Sequence, residues 1–254
     1  LSYFIDVQGT LIDDIDQLPI DGAIKFIEHL NSNNIPYVVL TNNTKKKSTD
    51  FYEFLKKLGF TIPPSHYLDP FMVLDNGLHA KNICCFGPQE FIEVIESMGY
   101  INSIENAEAI LVASSKGFDS NDYALMIEKV IGGAKLIGMH ATSIYAKDGK
   151  SYPGVGAILA MIRYATGCDY EIIGKPSETF YNEALRLLNT QKSGHSFKDI
   201  TMISDDALGD LKGIKELGAK TILVLSGKIK SEQEVCHVKD FLDGIVSNIG
   251  QING

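Results

Sequence analysis

The sequence predicts an α/β protein: a parallel core sheet carrying a second, inserted α/β domain. Three observations lead there. Short apolar runs that end in polar, turn-forming residues alternate with stretches of helical apolar spacing. That alternation reaches a turn-rich segment at 61–70, with Pro63, Pro64 and Pro70, and then restarts from about Phe71. The chain's 254 residues are enough for a core domain and a second one.

The first strand is the apolar run Tyr3, Phe4 and Ile5, closed by Asp6 and turned by Gly9 and Thr10. Residues 20–31 carry Ala23, Ile24, Phe26, Ile27 and Leu30 at helical spacing, with Asp21 placed to cap the start. A second buried strand covers 36–40 and ends in Thr41, Asn42, Asn43 and Thr44; an amphipathic helix at 45–58 stops at Gly59. After the boundary, strands are predicted at 81–86, 109–113 and 135–139, and helices at 89–98, 121–131 and 155–166. Residues 141–153 read as a polar loop, and 171–174 lead back to the first domain. Helices at 179–188 and 208–217 then alternate with strands at 200–204 and 220–225, and a last helix is expected over 232–242. The domain division is therefore 1–72 with 173–254 for the core and 73–172 for the insertion.

Composition narrows the function classes. The net charge of -9 offers no basic excess to displace counterions from a nucleic-acid backbone, which argues against nucleic acid as the main partner. A small anionic substrate held by a local cation and a metal remains compatible with it. The four cysteines form no CxxC pair, which argues against a zinc site or a disulfide framework and for reduced thiols in a cytoplasmic protein. Cys84 and Cys85 are expected on opposite faces of one strand. No basic segment leads into an apolar run, and no run approaches membrane-spanning length, so no membrane is expected. A homodimer stays open. The absence of G-x-G-x-x-G after the first strand argues against a dinucleotide-binding oxidoreductase.

Four loops follow predicted core strands and, in a parallel sheet, emerge on one edge. They carry Asp6 with Gln8; Thr41, Asn42 and Asn43; Lys175; and Asp205, Asp206 and Asp210. A nucleophile, hydroxyl and amide donors, one cation and a carboxylate cluster are the parts phosphoryl transfer requires. Neighbouring carboxylates at neutral pH call for a divalent cation between them, and hard oxygen donors suit Mg²⁺. Each part alone has a plainer reading. Thr44 serves as a helix N-cap, Lys175 as an exposed turn lysine, and Asp205 with Asp206 as a complement to a helix dipole. The conjunction, in this order, is what points to chemistry.

That order resembles the haloacid dehalogenase (HAD) superfamily, and more closely its NagD-like, nitrophenylphosphatase-like branch with a large inserted cap. The resemblance spans essentially the whole chain. It rests on Asp6-Val7-Gln8-Gly9-Thr10-Leu11, Leu40-Thr41-Asn42-Asn43-Thr44, Ile173-Gly174-Lys175-Pro176 and Ser204-Asp205-Asp206-Ala207-Leu208-Gly209-Asp210. Tyr152-Pro153-Gly154-Val155-Gly156-Ala157 and Thr221-Ile222-Leu223-Val224-Leu225-Ser226-Gly227 resemble that branch in particular. The resemblance implies a Rossmann-like core and a phosphatase acting on a small phosphorylated substrate. By it, Asp6 is the nucleophile that forms an aspartyl-phosphate, Thr41 and Asn42 (with Asn43) hold phosphate oxygens, and Lys175 neutralises charge. Mg²⁺ would be held by Asp6, the backbone carbonyl of Gln8 and Asp205, with Asp210 in support.

One departure matters. Gln8 stands where the family's hydrolases usually carry a second Asp, which protonates the leaving oxygen and later deprotonates water. A Gln amide orients groups but cannot exchange a proton near neutral pH, and losing such a group costs about 10²–10⁴-fold in rate. Three outcomes are open: a phosphatase that is slow or restricted to good leaving groups, one that lingers as phospho-Asp6, or a phosphate-ligand-binding protein without catalysis. Ser204, in place of the usual Gly, is expected to be tolerated. The cap's substrate reader is expected in residues 140–145, with His140 and Tyr145, although an isolated loop His or Tyr is more often structural. The remaining histidines are scattered and show no ligand spacing.

Overall fold

The computed structural model describes residues 1–147, 150–235 and 238–252. In chain order the first elements are β1 (Ser2–Asp6), α1 (Ala23–Ser32), β2 (Tyr37–Leu40), α2 (Ser48–Lys57), β3 (Tyr67–Leu68) and α3 (Pro70–Gly77). There follow β4 (Asn82–Phe86), α4 (Gln89–Ser97), β5 (Ile101–Asn102), β6 (Ala109–Val112), α5 (Ser120–Ile131) and β7 (Lys135–Gly138). Next come β8 (Ile144–Lys147), β9 (Lys150–Pro153), α6 (Val155–Thr166), β10 (Tyr170–Ile172) and α7 (Glu178–Gln191). The chain closes with β11 (Ile200–Ser204), α8 (Lys212–Glu216), β12 (Lys220–Val224) and β13 (Gly244–Val246).

Two compact units result. One holds Leu1–Thr41, Thr49–Asp69 and Glu178–Gly254; the other holds Asn42–Ser48 and Pro70–Ser177. The chain thus changes unit between Thr41 and Asn42, inside the loop after β2, and Lys175 falls in the second unit.

The first unit is a six-stranded sheet in the order β13-β12-β11-β1-β2-β3, with every pairing parallel. β1 lies between β11 and β2, and all five of its residues are buried. A strand covered on both faces reads as a continuous apolar run, which is what Tyr3, Phe4 and Ile5 supply. On α1 the buried residues are Ala23, Phe26, Ile27 and Leu30, and Phe26 meets Tyr3 edge to face at 5.5 Å. Burying each large side chain contributes roughly 1.5–3 kcal/mol, enough to seat a ten-residue helix that water alone would leave frayed.

The second unit has a five-stranded parallel sheet in the order β10-β7-β6-β4-β5. Alternate strand residues serve its two faces. Cys84, Phe86, Ile110 and Val112 pack with Met126, Val130, Ile158 and Ile162 of α5 and α6. Ile83, Ala109, Leu111 and Ile137 pack with Phe71, Leu74, Phe91 and Ile95 of α3 and α4, and Cys85 leans on this second cluster. The two adjacent cysteines therefore do point to opposite faces. Among the described residues no helix is long and apolar enough to cross a membrane.

Several local expectations are corrected. Residue 22, not Asp21, caps α1: Gly22 adopts φ 81° and no side chain caps the helix. Helix α2 begins at Ser48, so Thr44 is not its N-cap. Residues 144–147 and 150–153, read as loop, pair as an antiparallel hairpin. The helix expected at 208–217 is a π-turn at Ala207–Leu211 followed by the short α8, the Leu211 amide reaching back five residues to the Asp206 carbonyl. The last expected helix is two 3₁₀ turns, Glu232–Val235 and Lys239–Phe241, and Cys236 and His237 lie outside the described residues.

Candidate active site

The connectivity of the first sheet sets the site. From β1 the chain runs outward through β2 to β3, and later from β11 outward through β12 to β13. The order reverses between β1 and β11, and a crevice opens at the carboxyl ends of strands at such a switch point. Asp6 ends β1, and Ser204 ends β11 directly before Asp205.

After Asp6 the backbone folds tightly, with the amides of Thr10, Leu11 and Ile12 all donating to the Val7 carbonyl. Gly9 supplies the left-handed φ of 71° this turn needs. The Asp6 carboxylate is buried, and the Thr10 hydroxyl lies 3.4 Å from its Oδ2. Gln8 Oε1 accepts from the buried Thr41 hydroxyl at 2.9 Å. The amide that replaces a carboxyl thus holds a neighbouring donor, and it has no proton to give at neutral pH.

Asp205 is held between two backbones. A Cβ on Gly9 would fall 2.3 Å from Asp205 Oδ2, and one on Gly227 would fall 1.9 Å from the same atom. Only glycine at both places lets the two loops close on the carboxylate. Its Oδ2 accepts from the Lys228 amide at 2.7 Å, and the Ser226 hydroxyl donates to the Gly9 carbonyl at 2.6 Å. Burial, and next the Asp6 carboxylate, push the Asp205 carboxyl well above its ordinary range, while Lys228 pulls it down.

The rest of the cluster is ordered around this pair. Ser204 Oγ donates to Asp210 Oδ2 at 2.7 Å and accepts from the Asp206 amide at 3.1 Å. The serine that departs from the expected glycine thereby orients the acidic loop. Buried Tyr181 donates to the Asp210 carbonyl at 3.0 Å. Asp206 Oδ1 takes the Gly209 amide, and its Oδ2 pairs with the Lys228 ammonium. Among the described residues no group of three His, Cys, Asp or Glu side chains converges to hold a metal. The donors that suit a hard cation are the Asp6 and Asp205 carboxylates, with the Gln8 carbonyl. A buried carboxylate whose proton affinity is raised by burial and by a second carboxylate beside it is what a divalent cation relieves, so the donor set fits Mg²⁺.

The other expected residues belong to the second unit. Asn42 clamps the Lys175 backbone: its Oδ1 accepts from the Lys175 amide at 2.9 Å and its Nδ2 lies 3.4 Å from the Lys175 carbonyl. The close pass needs Gly174, where a Cβ would meet Asn42 Oδ1 at 2.6 Å. Asn43 turns back on its own loop, accepting from the amides of Lys45 and Lys46 and donating to the Lys46 carbonyl. His140 is buried, with Nε2 3.2 Å from Ser114 Oγ and Nδ1 3.1 Å from Thr142 Oγ1.

Lys228 escaped the sequence reading. It follows β12 on the same sheet edge as Asp6 and Asp205, a placement set by the pairing of β12 with β11.

Comparison with known proteins places the chain among similar sequences and folds. A family model described as haloacid dehalogenase-like hydrolase matches residues 3–101, and one described as HAD-hydrolase-like matches 172–249. Between them they take in more than half of the chain. A dihydroxyacetone phosphatase of Corynebacterium glutamicum is 27% identical over 239 residues, 92% of this chain and 84% of that protein. The solved structure of a p-nitrophenyl phosphatase from Archaeoglobus fulgidus superposes with a TM-score of 0.82 at 22% identity, covering 98% of this chain and 96% of the other. NagD from E. coli K-12 gives 0.78 at 21% identity, covering 99% and 98%. At such identities the two structures speak for the fold.

Proposed function

The chain belongs to the haloacid dehalogenase-like hydrolases, and on that premise we propose that it is a Mg²⁺-dependent phosphatase of small phosphorylated metabolites. The observation that carries the proposal is the pair of buried carboxylates, Asp6 and Asp205, at the switch point of the parallel sheet. Asp6 attacks the phosphoryl group in line and becomes the aspartyl-phosphate, which water then cleaves. Asp6, the Gln8 carbonyl and Asp205 would hold the cation, which supplies charge neutralisation for the phosphoryl oxygens. Ser204 and Asp210 keep the acidic loop in place. Thr41, Asn42 and Asn43 as phosphate contacts, Lys175 as the neutralising cation and His140 as a substrate reader carry over from the resemblance as parts of the same proposal. The relative named a dihydroxyacetone phosphatase supports a small phosphate monoester.

Gln8 sets the expected chemistry. With an amide hydrogen-bonded to Thr41 in the acid–base position, turnover favours leaving groups that depart without a proton. The test is phosphate release with Mg²⁺ over p-nitrophenyl phosphate, acetyl phosphate, dihydroxyacetone phosphate and a set of sugar phosphates. Parent, Asp6→Asn and Gln8→Asp run in parallel. The proposal expects parent turnover that Asp6→Asn abolishes and Gln8→Asp raises by about 10²-fold or more on alkyl phosphates. Undiminished release by Asp6→Asn would overturn it. A parent inactive on every compound yet revived by Gln8→Asp would instead favour a phosphate-binding protein.

A further inference from the structure

The loop after β12 reaches into the acidic cluster with two different groups of one residue. The Lys228 backbone amide donates to Asp205 Oδ2 at 2.7 Å, and its side-chain ammonium pairs with Asp206 Oδ2. The loop is anchored on both sides of that residue: Ser226 Oγ binds the Gly9 carbonyl, and Lys230 Nζ donates to the Ser226 carbonyl at 3.0 Å. The Lys228 side chain is half exposed, and its ammonium faces the carboxylates.

We propose that Lys228 is a positioning residue with two separable roles at the cation site: its amide fixes which Asp205 oxygen is offered to the metal, and its ammonium is the cluster's built-in counter-ion. This rests on the Mg²⁺ reading above. With Oδ2 engaged by the amide and walled by the backbones of Gly9 and Gly227, Asp205 offers Oδ1 alone. A one-oxygen carboxylate suits the small octahedral Mg²⁺ better than Ca²⁺, which takes more ligands and often both oxygens of a carboxylate. The ammonium has the opposite effect on affinity. It lowers repulsion among Asp205, Asp206 and Asp210 before a cation arrives, and it repels the cation that does arrive.

The two roles separate experimentally, because Lys228→Met removes the ammonium and keeps the amide. The measurements are thermal unfolding without divalent cation, and Mg²⁺ and Ca²⁺ affinity by isothermal titration calorimetry, on parent, Lys228→Met, Lys228→Arg and Asp205→Asn. The proposal expects Lys228→Met to unfold at lower temperature without cation and to bind Mg²⁺ tighter by roughly threefold to tenfold. Lys228→Arg should match the parent, and Mg²⁺ preference over Ca²⁺ should persist in Lys228→Met because the amide persists. A merely structural lysine would lower stability and weaken or leave unchanged the Mg²⁺ affinity, and that result overturns the counter-ion role. Lost Mg²⁺ preference in Lys228→Met overturns the amide role. A parent that binds no Mg²⁺, or an Asp205→Asn variant that binds as well as the parent, refutes the underlying site instead.

Discussion

Gly227→Ala is the most demanding steric perturbation of the proposed cation site, because the added carbon has nowhere to go. It would sit 1.9 Å from Asp205 Oδ2, 2.4 Å from its Cγ and 2.5 Å from its Cβ. Ordinary contact begins near about 3.4 Å, so a displacement of well over an ångström is required. The carboxylate cannot retreat toward the first loop, where a Cβ built on Gly9 already falls 2.3 Å from the same oxygen. Moving the second loop instead pulls the Lys228 amide off Asp205. Overpacking costs about 1–3 kcal/mol and a buried carboxylate stripped of its donor about 1–3 kcal/mol more. We expect a loss of about 2–6 kcal/mol in urea unfolding and at least a tenfold loss of Mg²⁺ affinity. Gly244→Ala is the control, since its Cβ meets only Ile222 Cγ1 at 3.6 Å, and it should stay within about 1 kcal/mol of the parent. A Gly227→Ala protein as stable as that control, with unchanged Mg²⁺ affinity, would refute the account of how Asp205 is held.

Two further predictions concern the fold around β2. Gln191 completes the strand beyond β3, accepting from the Tyr37 amide at 3.1 Å and donating to the Tyr37 carbonyl at 2.8 Å, so Gln191→Leu should cost about 2 kcal/mol in urea unfolding. His66 has a buried Nδ1 without a hydrogen-bond partner and packs edge to face on Tyr37 at 4.7 Å. Burial holds its pKa below the ordinary 6.5, so on acidification the unfolded chain takes up the proton first. The His66 contribution is therefore intact above about pH 6.5 and lost as pH falls below it. His66→Phe should flatten the fall in melting temperature between about pH 7.5 and about pH 5.5. An unchanged pH slope would contradict this.

What could be read from the sequence follows from what each segment buries. β1, β2, β11 and β12 are covered on both faces and therefore announce themselves as apolar runs, which also places Asp6 and Asp205 at strand ends. The hairpin at 144–147 and 150–153 has no such signature, because the described side chains of its second strand, Lys150, Ser151, Tyr152 and Pro153, are exposed or half-buried. Helix α3 was hidden behind Pro70, which reads as a break yet sits comfortably in the first turn of a helix. The uses of Asn42 and Asn43 were not legible either. An amide in a loop after a strand has the same letters whether it faces a ligand, clamps the Lys175 backbone or closes its own turn. Lys228 was missed because nothing in Ser226-Gly227-Lys228 reveals that Gly227 lies against Asp205. That depends on the pairing of β12 with β11.

The measurement closest to the central claim is the fate of the phosphoryl group. The protein is mixed with labelled acetyl phosphate or p-nitrophenyl phosphate and Mg²⁺, quenched in acid and digested, and the phosphorylated peptide is mapped. With Gln8 unable to activate water, the account predicts that label accumulates on the peptide bearing Asp6, is absent from Asp6→Asn, and drains faster in Gln8→Asp. Steady phosphate release with no label ever found on Asp6, or with label on another residue, would contradict it.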